Sequence, residues 1–198
     1  MKKLLLTSDG FKNAQIGKEF LVLAGKNPVD IKVLFIPTAS ETEREMSYVY
    51  ASERELIELG IPKENIFWLD VKKISEAGDI QNYDAMYVCG GNTFHLMNEI
   101  KKAGFDKKII DFVDSGKVYV GVSAGSVIAG ADISIAGPFD PNNVGLQDMR
   151  GFGFFGKMVS PHYQRKEKTI IDEIAAKVSC EVLPLPDGQA LEILNGVS

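Results

Sequence analysis

Short apolar runs rich in β-branched residues recur along this chain between stretches of helical amphipathic spacing, an alternation that restricts it to a parallel sheet covered by helices. The runs fall at residues 3–7, 32–37, 65–69, 85–89, 118–122, 157–160 and 181–185, each ending near Gly, Pro, Ser or Asp. A further strand is read over Ala190–Leu194, so near the last residue that a few more native residues are expected after it. The best-marked helix starts at Thr42, where Thr42 and Glu45 make a Thr-x-x-Glu capping box and Met46, Val49, Tyr50, Leu56 and Ile57 form the apolar face; Gly60 and Pro62 end it. Other helices are expected over 93–102 behind an Asn92 cap, over 106–114 after Gly104, and over 166–178. The fold class is therefore α/β, three-layered, with a mostly parallel sheet and helices on both faces. A length of 198 residues suits one domain over 1–198. Residues 137–156, rich in Gly, Asn and Phe, read as a long functional loop.

Charge and cysteine usage narrow the function. With 22 Lys and Arg against 27 Asp and Glu the net charge is −5, and no basic run exists to grip phosphates, so nucleic acid is not an expected partner. The N-terminal apolar run is too short for a signal peptide, and no stretch approaches the ~20 apolar residues of a membrane span. Cys89 and Cys180 have neither CxxC spacing nor a companion His cluster, so no zinc site, disulfide framework or cofactor is expected. The setting is read as reducing and cytoplasmic. The expected partner is a small molecule or peptide rather than a membrane; a homodimer is left open.

Chemistry concentrates at two Gly-rich turns. After the apolar residues 118–120 comes Gly121-Val122-Ser123-Ala124-Gly125, a Gly-x-Ser-x-Gly nucleophile elbow between strand and helix. The turn is so sharp that side chains at Gly121 and Gly125 would collide with nearby backbone. It lifts the Ser123 hydroxyl off the sheet and leaves the Ala124 N–H facing a developing oxyanion. Serine needs a base at neutral pH, normally His oriented by a carboxylate. Of the two histidines, His162 follows the 157–160 run and is expected at the same sheet edge as Ser123, whereas His95 lies one turn into a helix. Asp140, in Gly137-Pro138-Phe139-Asp140-Pro141, gives the chain order Ser, Asp, His; Asp132, Asp187 and Glu192 are the other acids in range. The second turn, Cys89-Gly90-Gly91-Asn92-Thr93-Phe94, offers close backbone approach and a second oxyanion donor, with Asn92 and Thr93 expected to face substrate. It matches neither dinucleotide nor Walker patterns.

Together, Gly90-Gly91-Asn92-Thr93-Phe94, Gly121-Val122-Ser123-Ala124-Gly125, Pro161-His162-Tyr163 and the late Leu185-Pro186-Asp187-Gly188 resemble the peptidase E family of serine peptidases, which includes cyanophycinase-like enzymes. The likeness runs from about Ile31 to Leu194. It implies a fold similar to class I glutamine amidotransferases and metal-free cleavage of dipeptides or short peptides with amino-terminal aspartate through an acyl-enzyme. By position it implies Ser123 as nucleophile, His162 as base, Asp140 as the orienting acid, and the N–H groups of Gly91 and Ala124 as oxyanion donors. The segment after His162 is shorter than that family's basic loop. A substrate carboxylate still needs a cation, and Arg165, three residues past His162, is the first candidate, ahead of Lys166 and Arg150. The same residues also fit a hydrolase of another acyl or β-aspartyl substrate, or a binding protein that keeps the fold.

Overall fold

The computed structural model describes residues 1–194 and divides its strands between two sheets. The larger holds β1 (Lys3–Thr7), β2 (Val33–Ile36), β3 (Ile66–Trp68), β4 (Ala85–Val88), β5 (Val118–Val122) and β8 (Ala190–Leu194). Its order is β3-β2-β4-β5-β1-β8, and every pairing is parallel except that of β8 with β1. The other two strands, β6 (Met158–Pro161) and β7 (Val182–Leu185), pair in parallel with each other. This corrects the expectation of one continuous sheet: the 157–160 and 181–185 runs are strands, but apart from the main sheet.

Side-chain alternation on the strands produces two cores, one on each face. Leu4, Leu6, Leu34, Ile36, Met86, Val88 and Tyr119 pack on one side. There they meet α3 (Thr93–Lys102), α4 (Asp106–Asp114) and α5 (Ala124–Ala129) through Leu96, Met97, Ile109, Phe112 and Val127. Leu5, Val33, Phe35, Ala85, Tyr87, Val118 and Val120 point the other way. They meet α1 (Ala14–Ala24) through Ile16 and Phe20, and α2 (Glu43–Glu58) through Val49 and Leu56. The sixth helix, α6 (Lys168–Val178), buries Ile171 into the first core.

Local chemistry sets the helix ends. Thr42 Oγ1 accepts the Glu45 N–H while Glu45 Oε2 accepts the Thr42 N–H, which is the capping box expected for α2. The inward face of that helix is Val49, Ser52 and Leu56; Tyr50 and Ile57 are exposed, contrary to expectation, because the helix presents a narrower stripe to the sheet. The α1 helix has no strong marker ahead of it beyond its Asn13 cap, and it closes on Gly25 at φ 64°.

Candidate active site

Strand register assembles the site. Thr7 pairs with Val122, so the chain leaves β1 and β5 side by side at Ser8 and Ser123. Val88 pairs with Gly121, which sets the Cys89-Gly90-Gly91 turn against the same edge. In the smaller sheet Pro161 pairs with Leu185, so His162 and Asp187 emerge together just beyond the two strand ends.

The elbow is built as its glycines imply. A Cβ at Gly121 would lie 2.6 Å from the Gly125 carbonyl oxygen, and one at Gly125 would lie 2.3 Å from the Val88 carbonyl oxygen. Ser123 has φ 49° and ψ −110°, far from the ordinary helical and extended wells. The turn is pinned from beneath: the Tyr119 hydroxyl donates to the Gly125 carbonyl at 2.7 Å, and Ser126 Oγ is 2.8 Å from both the Thr7 and Gly121 carbonyl oxygens. His162, at φ 56°, is a second strained residue. Among the described residues only Ser179 joins this pair in having positive φ without being glycine, so two of the three sites of such strain face each other here.

His162 Nε2 lies 3.1 Å from Ser123 Oγ, and His162 Nδ1 lies 2.6 Å from Asp187 Oδ1. An ionised carboxylate can only accept, so Nδ1 carries the ring proton and the Nε2 lone pair faces the serine hydroxyl. Partial burial pushes the Asp187 pKa upward, but hydrogen bonds from Ser8 and His162 outweigh it and hold the carboxyl below its ordinary range. Ser8, which in sequence looks like part of a polar turn, donates to Asp187 Oδ1 at 2.7 Å and accepts the His162 N–H at 2.8 Å.

Asp140 is elsewhere, which corrects its expected position beside His162. Its Oδ2 accepts the Thr93 N–H at 2.8 Å at the start of α3, where helix-terminal N–H groups favour a negative charge. Asn92 caps the same helix by accepting the His95 N–H, and its amide donates to the Pro141 carbonyl at 2.9 Å, fastening the 137–156 loop to α3. Both polar ends of the Asn92 side chain are thereby engaged with protein rather than turned to a ligand. Glu192 lies in β8, opposite Leu5. His95 Nε2 lies 3.4 Å from Glu41 Oε1.

Two cavities flank Ser123 and His162. One, of about 120 Å³, is walled largely by Ala124, Val127, Ile135, Ala136, Phe139 and Pro161, with Thr93 and Asp140 also at its lining. The other, of about 450 Å³, runs past Gly90, Gly91 and Asp187, and its lining includes Lys12, Arg44, Glu45 and Glu55. Arg165 belongs to neither: it is exposed on the 3-10 turn Arg165–Glu167 that leads into α6. The cations that sequence reasoning missed, Lys12 and Arg44, reach the larger cavity from the approach to α1 and from α2. Gly91, at φ 128°, lies so close to Ala39 that a Cβ would fall 2.1 Å from that carbonyl oxygen. Across the same gap, a Cβ at Gly90 would come 3.2 Å from Ser123 Cβ, so this backbone and the Ala124 N–H both border Ser123.

Comparison with known proteins gives the class first: the chain is a serine-type peptidase. More narrowly, it belongs to peptidase family S51, whose model matches residues 4–197. It is 35% identical to an uncharacterized peptidase of Listeria monocytogenes serovar 1/2a, over 98% of this chain and 95% of that protein. It is 27% identical to the peptidase E of Salmonella arizonae, over 82% and 73%. A crystallised protein of Listeria monocytogenes EGD-e named for peptidase E is similar at a TM-score of 0.81 and 32% identity, over 98% of this chain and 94% of that one. The resemblance read from the motifs is thus borne out, and the family match begins well before Ile31.

Proposed function

We propose that this peptidase hydrolyses dipeptides or short peptides with amino-terminal aspartate, through an acyl-enzyme on Ser123. The observation that carries the reading is the aligned series Ser123 Oγ, His162 Nε2 at 3.1 Å, and His162 Nδ1 to Asp187 Oδ1 at 2.6 Å. In this reading His162 takes the serine proton as Oγ bonds to the peptide carbonyl carbon, then gives it to the leaving amine as the C–N bond breaks. A water molecule, activated by the same imidazole, then cleaves the acyl-enzyme and regenerates Ser123. Asp187 keeps the imidazole in the productive tautomer and stabilises its charged form. The N–H groups of Ala124 and Gly91 hold the oxyanion, each donor worth about 3 kcal/mol of barrier.

Aspartate preference is supported by the larger cavity, where Arg44 would meet a carboxylate that is costly to desolvate unpaired; Lys12 nearby is engaged with Asp9 at 3.2 Å. Free Cys89 and Cys180 accord with a reducing, cytoplasmic setting as part of the proposal. Among the described residues no helix is long and apolar enough to cross a membrane. The test is fluorophosphonate labelling followed by a panel of amino-terminal-aspartyl, β-aspartyl and unrelated dipeptides. Stoichiometric labelling lost in Ser123→Ala, with turnover confined to aspartyl substrates, is expected. Absence of labelling would favour a binding protein, and turnover of other acyl substrates would redirect the specificity.

A further inference from the structure

The end of β1 touches all three segments that carry the proposed chemistry. The Thr7 carbonyl accepts the Ser123 N–H at 3.0 Å. Next along, the Ser8 hydroxyl accepts the His162 N–H at 2.8 Å and donates to Asp187 Oδ1 at 2.7 Å. The Asp9 carboxylate then accepts the Gly188 N–H at 2.9 Å. Residues 123, 162 and 187–188 arrive from separate parts of the chain, and Thr7, Ser8 and Asp9 are the consecutive residues that bind each to the others.

Ser8 has the central place. A hydroxyl offers one proton and two lone pairs. Ser8 Oγ is also 3.2 Å from His162 Nδ1, but that nitrogen's proton is directed at Asp187, so the Ser8 proton goes to the carboxylate as well. Asp187 Oδ1 thereby receives two donors. Ser8 is fully buried, whereas the side chains of His162 and Asp187 are 51% and 63% exposed. The two exposed groups could each turn toward water; the buried hydroxyl between them is what opposes it. It also holds the N–H of a residue kept at φ 56°, a conformation that needs support from its surroundings.

We propose that Ser8 is a positioning residue of the catalytic unit: one buried hydroxyl fixes both the strained backbone of His162 and the carboxylate that sets its tautomer. The inference rests on the reading of Ser123, His162 and Asp187 as the reacting set. It extends that set to a fourth side chain and makes the N-terminal strand part of the machinery rather than only of the core.

The experiment measures the second-order rate at which a fluorophosphonate labels Ser123 in the full chain. Ser8→Ala is expected to slow labelling roughly 10- to 100-fold, the range for losing a hydrogen bond to a charged group. A purely structural role would instead lower the melting temperature and leave the rate of the folded fraction unchanged. Two further readouts separate these cases. The downfield proton resonance of His162 Nδ1–H, expected in the wild type, should broaden or vanish in Ser8→Ala. The double variant Ser8→Ala/Asp187→Asn should lose less than the product of the two single losses, because part of the effect of Ser8 passes through that carboxylate and part through the His162 N–H. If alanine prevents folding, Ser8→Cys fills the site with a slightly larger side chain that is only a weak donor, and carries the same expectations. An unchanged labelling rate and resonance, or losses that multiply in the double variant, would overturn the role of Ser8. Failure of the wild type to label is a different result, since it removes the hydrolase reading beneath the proposal.

Discussion

Asp187 Oδ1 and His162 Nδ1 are 2.6 Å apart although 25 residues separate them, because β6 and β7 run parallel and end level with each other. Pro161 and Leu185 are partners in that ladder, and the chain beyond each turns toward the same point. The orienting contact is therefore a product of sheet register.

That geometry assigns different losses to the two aspartates. Asp187→Asn is expected to lower kcat on the order of a thousandfold or more, since an amide in this place favours the wrong imidazole tautomer. Asp140→Asn should leave most turnover and cost about 0.5–2 kcal/mol of stability, the scale for weakening a helix N-terminal contact. Steady-state kinetics and urea unfolding of both variants check this. A silent Asp187→Asn beside an inactive Asp140→Asn would reverse the assignment.

Cavity lining separates Arg44 from Arg165. Arg44→Met should raise KM for aspartyl dipeptides far more than for neutral ones, by roughly 10-fold or more, as for a charge-assisted hydrogen bond. Arg165→Met should change neither, because that side chain is solvated outside both cavities. Equal losses on acidic and neutral substrates in Arg44→Met would remove its part in recognising charge.

Backbone clearance predicts which glycines tolerate alanine. At Gly125 a Cβ would sit 2.3 Å from the Val88 carbonyl oxygen, and main chain there cannot swing aside as a side chain could. Gly125→Ala is expected to cost about 3 kcal/mol or more. Gly153 has φ 62° with nothing near its Cβ position, so Gly153→Ala should cost only the left-handed penalty of about 1–2 kcal/mol. Thermal melts of the pair measure the contrast directly.

Glu55 gives a pH signature. It borders the larger cavity, its Oε2 accepts the Phe11 N–H at 2.8 Å, and burial raises its pKa above the ordinary carboxylate value. A raised acid favours the protonated folded state, so its contribution is fully present below the unfolded pKa, ~4.3, and is lost as pH rises through the folded value. Glu55→Gln imitates the protonated form and can still accept from Phe11. It should therefore raise the melting temperature at pH 7, with the gain vanishing near pH 4. A gain that persists at pH 4 would point to a cause other than the charge.

The sequence revealed those parts of the site that local geometry determines. Ser123 was legible because a strained strand-to-helix turn demands glycines at 121 and 125, and those demands are written within five residues. His162 was legible from its place after an apolar run, although its strand lies in a separate sheet. Asp140 stands ahead of Asp187 on chain order and on the resemblance, and that order is wrong because only strand register, which no local residue states, decides which carboxylate reaches the imidazole. Lys12 and Arg44 were hidden for a related reason: nothing in the residues around them states which wall of which cavity their segments will form. The α1 helix is hard to read because Asn13 alone marks its start and the continuous apolar run 20–23, which includes the exposed Val22, blurs the helical spacing of Ile16, Phe20 and Leu23.

The antiparallel ladder of β8 on β1 joins Thr7 to Ala190 and Lys3 to Leu194, nearly the widest sequence separation this chain can close. Closing so long a loop is entropically costly, so the ladder is expected to come late in folding. Asp187 and Gly188 reach Ser8 and Asp9 only when that ladder forms. On the proposed reading, a half-folded molecule carries Ser123 and His162 without the carboxylate that aligns them, so its activity stays dormant until β8 closes on β1. In refolding experiments, fluorophosphonate reactivity should return after the far-ultraviolet circular dichroism has already recovered.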